Sequence, residues 1–341
     1  MATVLETIKN KASLLNKHIV LPEGEDARVI KAASEAANEN IARITVLGNE
    51  EEIKKANPDV CLCKVNIIDP VKNDKTDEYA KMLFDLRQGK INKKTGAPEY
   101  ATVEDAKAYI LKDYTMYAAL MLKAGDVDGL VSGACHSTAN TLRPGLQVIK
   151  TKKGVPLVSS CFVMLAPENG NVYCPEGAFV YGDCGLNQNP NSEELAHIAI
   201  SSAESAKTIL GMDARVAFLS HSSKGSAKHA DVDKVTEAVK KCNEIAPDLK
   251  ADGEFQLDCA IVPSIAKSKA PNSEIAGKAN VLIFPDLDAG NIGYKLTERL
   301  GGFMALGPIC QGFAKPINDL SRGCCADDIK AVIAITALQV E

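Results

Sequence analysis

The feature that most constrains the fold is a regular alternation of short apolar segments with helical patterns. In the N-terminal half, the strand-like segments are residues 18–21, 44–47, 65–68 and 128–134; the first three are followed directly by Pro, Gly or Asp, and the last runs into the polar residues that begin at Cys135. Helical patterns lie between or after them, at residues 26–38, after Asn49 and at 103–123. Strands and helices in this order indicate parallel βαβ units. We therefore predict a parallel sheet covered by helices on both faces.

The C-terminal half begins with a different signal and then resumes the alternation. An apolar run at 155–165 and residues 171–180 predict a hairpin across the turn at 167–170. Further strands are predicted at 215–219, 259–262 and 281–284, and helices at 192–210 and 232–245. A chain of 341 residues exceeds one typical core. We predict two α/β domains, the first of residues 1–154 plus 308–341, because the apolar helix at 329–340 returns to it, and the second of residues 155–307.

Composition excludes several classes of protein. The chain is 46% hydrophobic and 24% charged, which is typical of a soluble globular protein. It has no apolar run of 18 residues, and residues 1–11 lack the apolar core of a signal peptide, so we expect a cytoplasmic protein that does not bind membranes. The net charge of −5 argues against nucleic acid.

Cysteines and histidines give little sign of a metal or disulfide framework. The eleven cysteines are scattered apart from Cys61-x-Cys63 and Cys324-Cys325, and we expect them to be reduced thiols, most of them buried. With five histidines and no paired CxxC knuckles, no metal is expected. The dinucleotide, P-loop, nucleophile-elbow, HExxH and EF-hand motifs are absent, and Phe313 stands where a P-loop would need lysine.

Residues 284–328 contain the densest group of polar and conformationally special residues. A loop is predicted there from Gly307-Pro308 to the polar residues Asn318, Asp319, Ser321 and Arg322, and the segment ends at Asp328, just before the apolar helix. Functional residues often lie on loops held by a rigid scaffold. Charged side chains beside a buried helix are costly unless they are paired or have a functional role. The alternative is an interdomain crossover with solvated charges.

Two further loops could bind an anion. Ser137, Thr138 and Thr141 follow a predicted strand and open a helix that contains Arg143. Hydroxyl groups at a helix N-terminus and a guanidinium both suit phosphate, although helix capping by Ser137, Thr138 or Asn140 explains the same pattern. The loop at 221–228 (HSSKGSAK) is either a second anion site or a solvated loop or subunit contact.

The chain resembles the phosphate acetyltransferases over nearly its whole length. The matching blocks begin at KHIVLPEGEDAR and continue through GLVSGA, HSTANTLRPGLQVIKT, SSKGSAK, DGEFQLDCAIVP, KANVLIFPDLDAGNIGYKL and GPICQGFAKPINDLSRG. Members of this family interconvert acetyl-CoA plus phosphate with acetyl phosphate plus CoA, and related members use butyryl or other acyl groups. The resemblance implies two three-layer α/β/α domains with mostly parallel sheets and a cleft between them, the fold shared with isocitrate-type dehydrogenases. It also implies a homodimer, with the interface on residues 155–307.

The resemblance also assigns roles to individual residues. Asp328 matches the proposed base for the CoA thiol, and Ser321 and Arg322 match transition-state stabilisers. The positions matched to binding of acetyl phosphate or the CoA phosphates are Arg87, Arg143, Ser137, Thr138, Thr141, Asn291 and Lys295. The pattern departs after Arg87, where residues 90–99 form a longer segment than the family's short basic turn. CoA is a substrate here, and no cofactor is expected.

The chemistry constrains how Asp328 could act. A thiol with a pKa of about 8.5 and an aspartate near 3.9 differ by about 4.6 units, so full proton transfer is uphill by roughly 6 kcal/mol. The aspartate works as a base only if its pKa is raised or the thiolate is stabilised as it forms; Arg322 could supply that stabilisation. No covalent nucleophile is required, because thiol and acetyl phosphate can react directly. The alternative is that Asp328 only caps the helix beside Asp327.

Two other classes of function compete with this one. A non-catalytic module of the same fold would bind acetyl-CoA or dimerise, but the intact Ser321, Arg322 and Asp328 argue against it. A decarboxylating dehydrogenase would need a divalent metal and a nicotinamide cofactor, and no acidic cluster with a dinucleotide loop is visible in the sequence. Acyl-chain preference, physiological direction and effectors stay open at this level.

Overall fold

A computed structural model describes residues 3–92 and 95–340. The chain divides into two compact units, each built from two segments. The first unit comprises Lys9–Lys152 with Phe313–Glu341, and the second comprises Met1–Ile8 with Lys153–Gly312. The chain passes between them after residues 8, 152 and 312, whereas the domain limits predicted from the sequence lie at 154 and 307. The dimer interface assigned to residues 155–307 stays a prediction.

The first unit contains a five-stranded parallel sheet with the strand order β11-β4-β1-β2-β3. Its strands are β1 (His18–Leu21), β2 (Arg43–Leu47), β3 (Val65–Ile68), β4 (Gly129–Ser132) and β11 (Ile317–Asp319). The short runs of Val, Ile and Leu in these strands are buried because helices pack against the sheet. Four of the five strands coincide with segments predicted from the sequence, and β11 was not predicted.

The helices of the first unit are mostly those predicted. They are α1 (Val4–Leu15, divided between the units), α2 (Ala27–Asn38), α3 (Glu50–Ala56), α4 (Thr76–Arg87), α5 (Val103–Ile110), α6 (Tyr114–Ala124), α7 (Thr138–Pro144) and α13 (Ala326–Leu338), and a wide turn, Gly145–Ile149, extends α7. The helix predicted at 103–123 is wrong as a single helix. The first segment ends at Ile110, and Asp113 caps α6 by accepting a hydrogen bond from the Met116 N–H at 3.0 Å. A capping residue inside an apolar pattern therefore breaks it in two.

The second unit contains a six-stranded mixed sheet with the order β10-β5-β6-β9-β7-β8. Its strands are β5 (Ser159–Leu165), β6 (Ala178–Gly182), β7 (Val216–Leu219), β8 (Ala251–Phe255), β9 (Val281–Ile283) and β10 (Met304–Gln311). The β10–β5 and β5–β6 pairs are antiparallel, and the other pairs are parallel. Its helices are α8 (Ser192–Ser205), extended by the wide turn Ala206–Leu210, and α9 (Ala230–Ile245), α10 (Leu257–Ile261), α11 (Pro263–Lys269) and α12 (Leu287–Arg299). The predicted α/β class with mostly parallel sheets is confirmed.

Three predictions for the second unit are wrong in detail. Residues 259–262 are not a strand but part of α10, and the strand of that region is β8, whose Asp252, Gly253 and Glu254 are rare in strands. The hairpin exists, but its second strand begins at Ala178 rather than at residue 171. The loop predicted around Gly307-Pro308 is the edge strand β10, where proline is tolerated because the register shifts between Leu306 and Ile309.

Membrane insertion has no structural candidate in the described ranges. Within residues 3–92 and 95–340, no helix combines the length and the apolar character needed to cross a bilayer.

Candidate active site

Three loops meet at one edge of the first unit's sheet. The strands β11, β4 and β1 are adjacent and parallel, so the segments that follow Asp319, Ser132 and Leu21 leave from the same end of the sheet. The carboxyl ends of parallel strands are where ligand sites form in open α/β sheets. The polar cluster at 135–144 and the C-terminal part, 318–328, of the segment 284–328 that the sequence singles out therefore lie at this edge; residues 284–312 of that segment belong to the second unit.

The buried carboxylate of Glu23 organises the loop after β4. Glu23 is 1% exposed, and its two oxygens accept hydrogen bonds from the N–H groups of Gly133, Ala134, Cys135 and His136 at 2.9–3.1 Å. The His136 ring nitrogen Nδ1 lies 2.7 Å from the same carboxylate. A buried charge is tolerated when it is this fully hydrogen-bonded. Glu23 thus fixes the backbone that leads into α7.

Arg28 ties the loop after β11 to the loop after β4. Its guanidinium donates to the main-chain oxygens of Arg322 and Cys324 at 2.8 and 2.9 Å, and to that of Ala134 at 2.8 Å. Asp26, which caps α2, holds the same guanidinium at 2.7 Å and keeps its own pKa below the usual range through this hydrogen bond. The planar donor fork of arginine suits several fixed acceptors at once. The two predicted site loops are therefore mechanically connected.

Asp319, the last residue of β11, is a buried carboxyl group beside these loops. It is 2% exposed, and neither its Oδ1 nor the buried Thr141 Oγ1 has a partner at hydrogen-bonding geometry among the described residues. Burial raises the pKa of Asp319, while the hydroxyls of Thr138 and Thr141 and the charge of Arg322 act in the opposite direction. Thr138, Thr141 and Arg322, all predicted as site residues, are thus brought together around one carboxyl group that the prediction did not include.

The predicted catalytic residues share one exposed turn. Asp328 Oδ2 accepts a hydrogen bond from the Cys325 N–H at 2.9 Å, and Ser321 Oγ accepts one from the Gly323 N–H at 3.2 Å. Asp328 is therefore a capping residue of α13, as the alternative interpretation holds. Because Ser321, Arg322 and Asp328 are all exposed, their side chains are also accessible to a substrate.

Ser137 has the capping role that its position allows. Its hydroxyl accepts a hydrogen bond from the Asn140 N–H at 3.3 Å at the start of α7. That contact explains Ser137 without a ligand, so its part in phosphate binding stays a prediction.

Arg87 and Arg143 belong to one cluster of tyrosines and carboxylates. Arg87 donates to Glu99 Oε2 at 2.7 and 2.9 Å, and Arg143 lies 3.8 Å from Asp113 Oδ2. The rings of Tyr100 and Tyr109 are 5.6 Å apart, and the Tyr109 hydroxyl donates to Asp113 at 2.9 Å. Burial raises the pKa of both tyrosines, so they stay neutral. The longer segment at 90–99 thus supplies the partner of Arg87.

The two predicted binding residues of the second unit lie on α12. Asn291 donates to the Cys184 main-chain oxygen at 3.2 Å, and Lys295 donates to the side-chain oxygen of Asn291. Their predicted role in binding substrate stays a prediction. In the same unit, the 221–228 loop is bound to acids of β8, since Ser222 donates to Glu254 at 2.8 Å and Lys224 pairs with Asp252 at 2.5 Å. These carboxylates disfavour an anion there.

Sequence reasoning missed Glu23 and Arg28. Glu23 lies in the polar segment that follows the predicted strand at 18–21, and Arg28 lies in the first turn of the helix after it. The expectation of a ligand site where a parallel strand gives way to a helix, which singled out the segment after residue 134, applies to this segment as well. Glu23, Cys135 and His136 place potential metal-ligating atoms within 4.8 Å of one another. The hydrogen bonds from four backbone N–H groups to Glu23 already account for that arrangement.

Comparison with known proteins identifies the family. The model of the phosphate acetyl/butaryl transferase family matches residues 3–337. The chain belongs to this family. Phosphate acetyltransferases of Acetivibrio thermocellus and Thermoanaerobacterium thermosaccharolyticum are 51% and 48% identical to it, over 99% of this chain and 98% and 100% of theirs. A phosphotransacetylase structure from Streptococcus pyogenes matches with a TM-score of 0.89 and 42% identity, over 99% of this chain and 98% of that one.

Membership of the phosphate acetyl/butaryl transferase family confirms the resemblance seen in the sequence blocks. It covers both compact units, since the match extends from residue 3 to residue 337. The loops joined by Glu23 and Arg28 therefore belong to a chain whose whole length follows the family pattern.

Proposed function

We propose that the protein is an acyltransferase that moves an acetyl group reversibly between CoA and phosphate. Full-length relatives named phosphate acetyltransferase support the reaction. In this chain, the main support is the turn at 321–328, which exposes the side chains of Ser321, Arg322 and Asp328. Arg28 joins this turn to the hydroxyl-rich loop before α7. One turn thus presents a proton acceptor, a cation and a hydroxyl group.

The proposed reaction is a direct attack within a ternary complex. Asp328 takes the proton of the CoA thiol as the sulfur attacks the carbonyl carbon of acetyl phosphate. Arg322 and Ser321 stabilise the negative charge that develops on the carbonyl oxygen, an interaction that often dominates acyl transfer. The carbon–oxygen bond to phosphate then breaks, phosphate leaves with the bonding electron pair, and the proton passes from Asp328 to solvent. The reverse reaction follows the same steps backwards.

Two cysteines near the site, Cys135 and Cys324, are unsuited to carry a covalent acyl group, which favours direct attack. The Cys135 thiol lies 3.3 Å from oxygens of both Glu23 and Glu25, and burial and these carboxylates raise its pKa. Burial also raises the pKa of Cys324 to about 11. Because the thiolate is the nucleophile, both cysteines are poor candidates for carrying the acetyl group.

The phosphate groups of the substrates need cationic and hydroxyl partners. We propose Thr138, Thr141, Ser137 and Arg143 for phosphate, together with Arg87, Asn291 and Lys295 for phosphates of acetyl phosphate or CoA. The network of Arg87 and Arg143 with Glu99 and Asp113 supports this by keeping both guanidinium groups in defined positions. No cofactor is needed, because CoA is consumed and regenerated as a substrate. A homodimer and a cytoplasmic location are further proposals that rest on the family resemblance.

The test is thioester formation by purified protein with CoA and acetyl phosphate. We expect acetyl-CoA to accumulate without metal or nicotinamide, and the Arg322→Ala protein to fall by about 10²–10³-fold in kcat. Acetyl preference over butyryl is expected to be modest, since one methylene changes binding by about 1–3 kcal/mol. A folded protein that is inactive on acetyl, propionyl and butyryl phosphates would refute the proposal.

A further inference from the structure

The Cys61-x-Cys63 motif forms a close pair of exposed thiols that the proposed function does not use. The two sulfur atoms are 3.1 Å apart, and both side chains are exposed. The pair lies in the irregular segment between α3 and β3. Because β3 is parallel to its neighbours, this segment lies at the amino end of the sheet's strands, whereas the candidate active-site loops leave from the carboxyl end.

Two hydrogen bonds fix the backbone of the segment that carries the two thiols. The Ser34 hydroxyl of α2 donates to the main-chain oxygen of Cys61 at 2.7 Å, and the Val65 N–H donates to that of Leu62 at 3.1 Å. A disulfide has a sulfur–sulfur distance of about 2.05 Å, so the two sulfur atoms need to approach by only about 1 Å. The irregular backbone at Cys61 and Leu62 has no helical or strand hydrogen bonds to break.

The other exposed cysteines differ from this pair. Cys135 faces two carboxylates that raise its pKa, and Cys325 follows a buried cysteine at the start of α13. By contrast, the hydrogen bond with Cys63 lowers the pKa of Cys61 and raises that of Cys63. A thiol with a lowered pKa beside a second thiol is the arrangement of an attacking and a resolving cysteine.

We propose that Cys61 and Cys63 form a dithiol modification site for low-molecular-weight disulfides such as glutathione disulfide. The Cys61 thiolate attacks one sulfur of the small disulfide, and the other half leaves as a thiolate. The Cys63 thiolate then attacks the Cys61 sulfur of the mixed disulfide and displaces the second half. The protein loses two thiol protons and two electrons, and the small disulfide is reduced to two thiols. An excess of the reduced thiol reverses both exchanges.

The sequence makes the site easy to isolate. Trypsin cleaves after Lys55 and Lys64, and the peptide at 56–64 (ANPDVCLCK) contains both thiols and no other cysteine. The reduced full-length protein is incubated with glutathione disulfide, the remaining thiols are alkylated, and the peptides are weighed. We expect peptide 56–64 to carry neither an alkyl group nor glutathione, because its two thiols have joined in a disulfide. This change should occur before Cys135 or Cys325 is modified. The Cys63→Ser variant should stop with one glutathione on Cys61.

Matched variants distinguish the site from general thiol oxidation. Cys135→Ser and Cys325→Ser should form the bond in peptide 56–64 at the wild-type rate. Binding of phenylarsine oxide, which bridges two neighbouring thiols, should fall from one per chain to none in both Cys61→Ser and Cys63→Ser. Thermal melts check the folding of each variant. Acetyl transfer by Cys61→Ser and Cys63→Ser should be unchanged. A wild-type peptide that stays doubly alkylated, or that accumulates only mixed disulfide, overturns the proposal.

Discussion

The guanidinium of Arg28 donates a hydrogen bond to the main-chain oxygen of Arg322 at 2.8 Å, across 294 residues of sequence. The same guanidinium reaches the oxygens of Ala134 and Cys324, so it fixes the position of the turn that presents Arg322 and Asp328. It contacts main-chain atoms of the site rather than its exposed side chains. Arg28 is therefore a positioning residue.

Substitution of Arg28 should affect catalysis through geometry. We expect Arg28→Lys and Arg28→Ala to lower kcat by about 10–10²-fold, because a small displacement of reacting groups is costly and the single nitrogen of an ammonium cannot span the oxygens that the two terminal nitrogens of Arg28 reach. Steady-state kinetics should show a smaller change in the KM for CoA. Arg43→Ala, a surface arginine in the same unit, is the control and should behave as wild type. Wild-type kcat in a folded Arg28→Ala protein would contradict the positioning role.

Asp328→Asn separates the roles of base and helix cap. If Asp328 takes the thiol proton, this variant should lose about 10²–10⁴-fold in kcat with little change in CoA binding. Raising the pH towards the thiol pKa of about 8.5 should restore part of the rate, since free thiolate then replaces base catalysis. Arg322→Ala should show no comparable recovery, because it has lost a cation and not a proton acceptor.

The control for that experiment is the neighbouring carboxylate. Asp327 is 82% exposed on its side chain and lies in the first turn of the same helix, so Asp327→Asn removes a similar charge from the helix N-terminus. It should keep kcat near wild type. If Asp328→Asn instead has the pH profile of wild type and loses only thermal stability, Asp328 is a helix cap alone.

Arg87 and Arg143 should act mainly in substrate binding. Alanine or lysine at either position should raise the KM for CoA or acetyl phosphate, because lysine cannot form the bidentate contact of a guanidinium with phosphate. Glu99→Gln tests the ion pair separately, since it leaves Arg87 in place but removes the charge that holds it. Wild-type KM values for both substrates in both arginine series would remove these residues from the binding site.

The buried Asp319 should make stability depend on pH. Burial raises its pKa in the folded state, so the folded protein binds more protons than the unfolded chain above the ordinary aspartate pKa of about 3.9. Stability from this group is therefore present at low pH and falls as the pH rises through the folded pKa. Each tenfold difference in proton affinity between the folded and unfolded states changes the free energy of unfolding by about 1.4 kcal/mol. For a unit of this size, each kcal/mol shifts Tm by about 2–4 °C.

Asp319→Asn isolates this effect because its amide keeps the shape and carries no charge. The Tm of the variant relative to wild type should rise as the pH increases from about 4 to 7. Thermal melts across this range measure the difference directly. A difference that is the same at both ends would show that ionisation of Asp319 does not cost stability.

The periodic parts of the chain were predictable, and its irregular polar parts were not. Residues 18–21 and 65–68 carry compact apolar runs between turn residues, and both are strands at those limits. The strands β8 and β10 were missed because Asp252 and Glu254 in one, and Gly307-Pro308 in the other, are poor strand residues. Their backbone partners in the sheet decide their conformation, and those partners are far away in sequence.

The same division holds for the site. The residues 137–143 and 321–328 could be found in the sequence, because hydroxyl, cationic and acidic groups cluster where a strand or a loop gives way to a helix. Local sequence also determines that Ser137 and Asp328 cap their helices, since a cap lies within three residues of its partner. Only the tertiary structure places Glu23 under the loop after β4 and Arg28 against the turn at Arg322. Those contacts depend on the order of β11, β4 and β1 in the sheet, which brings together three loops that are more than one hundred residues apart in the chain.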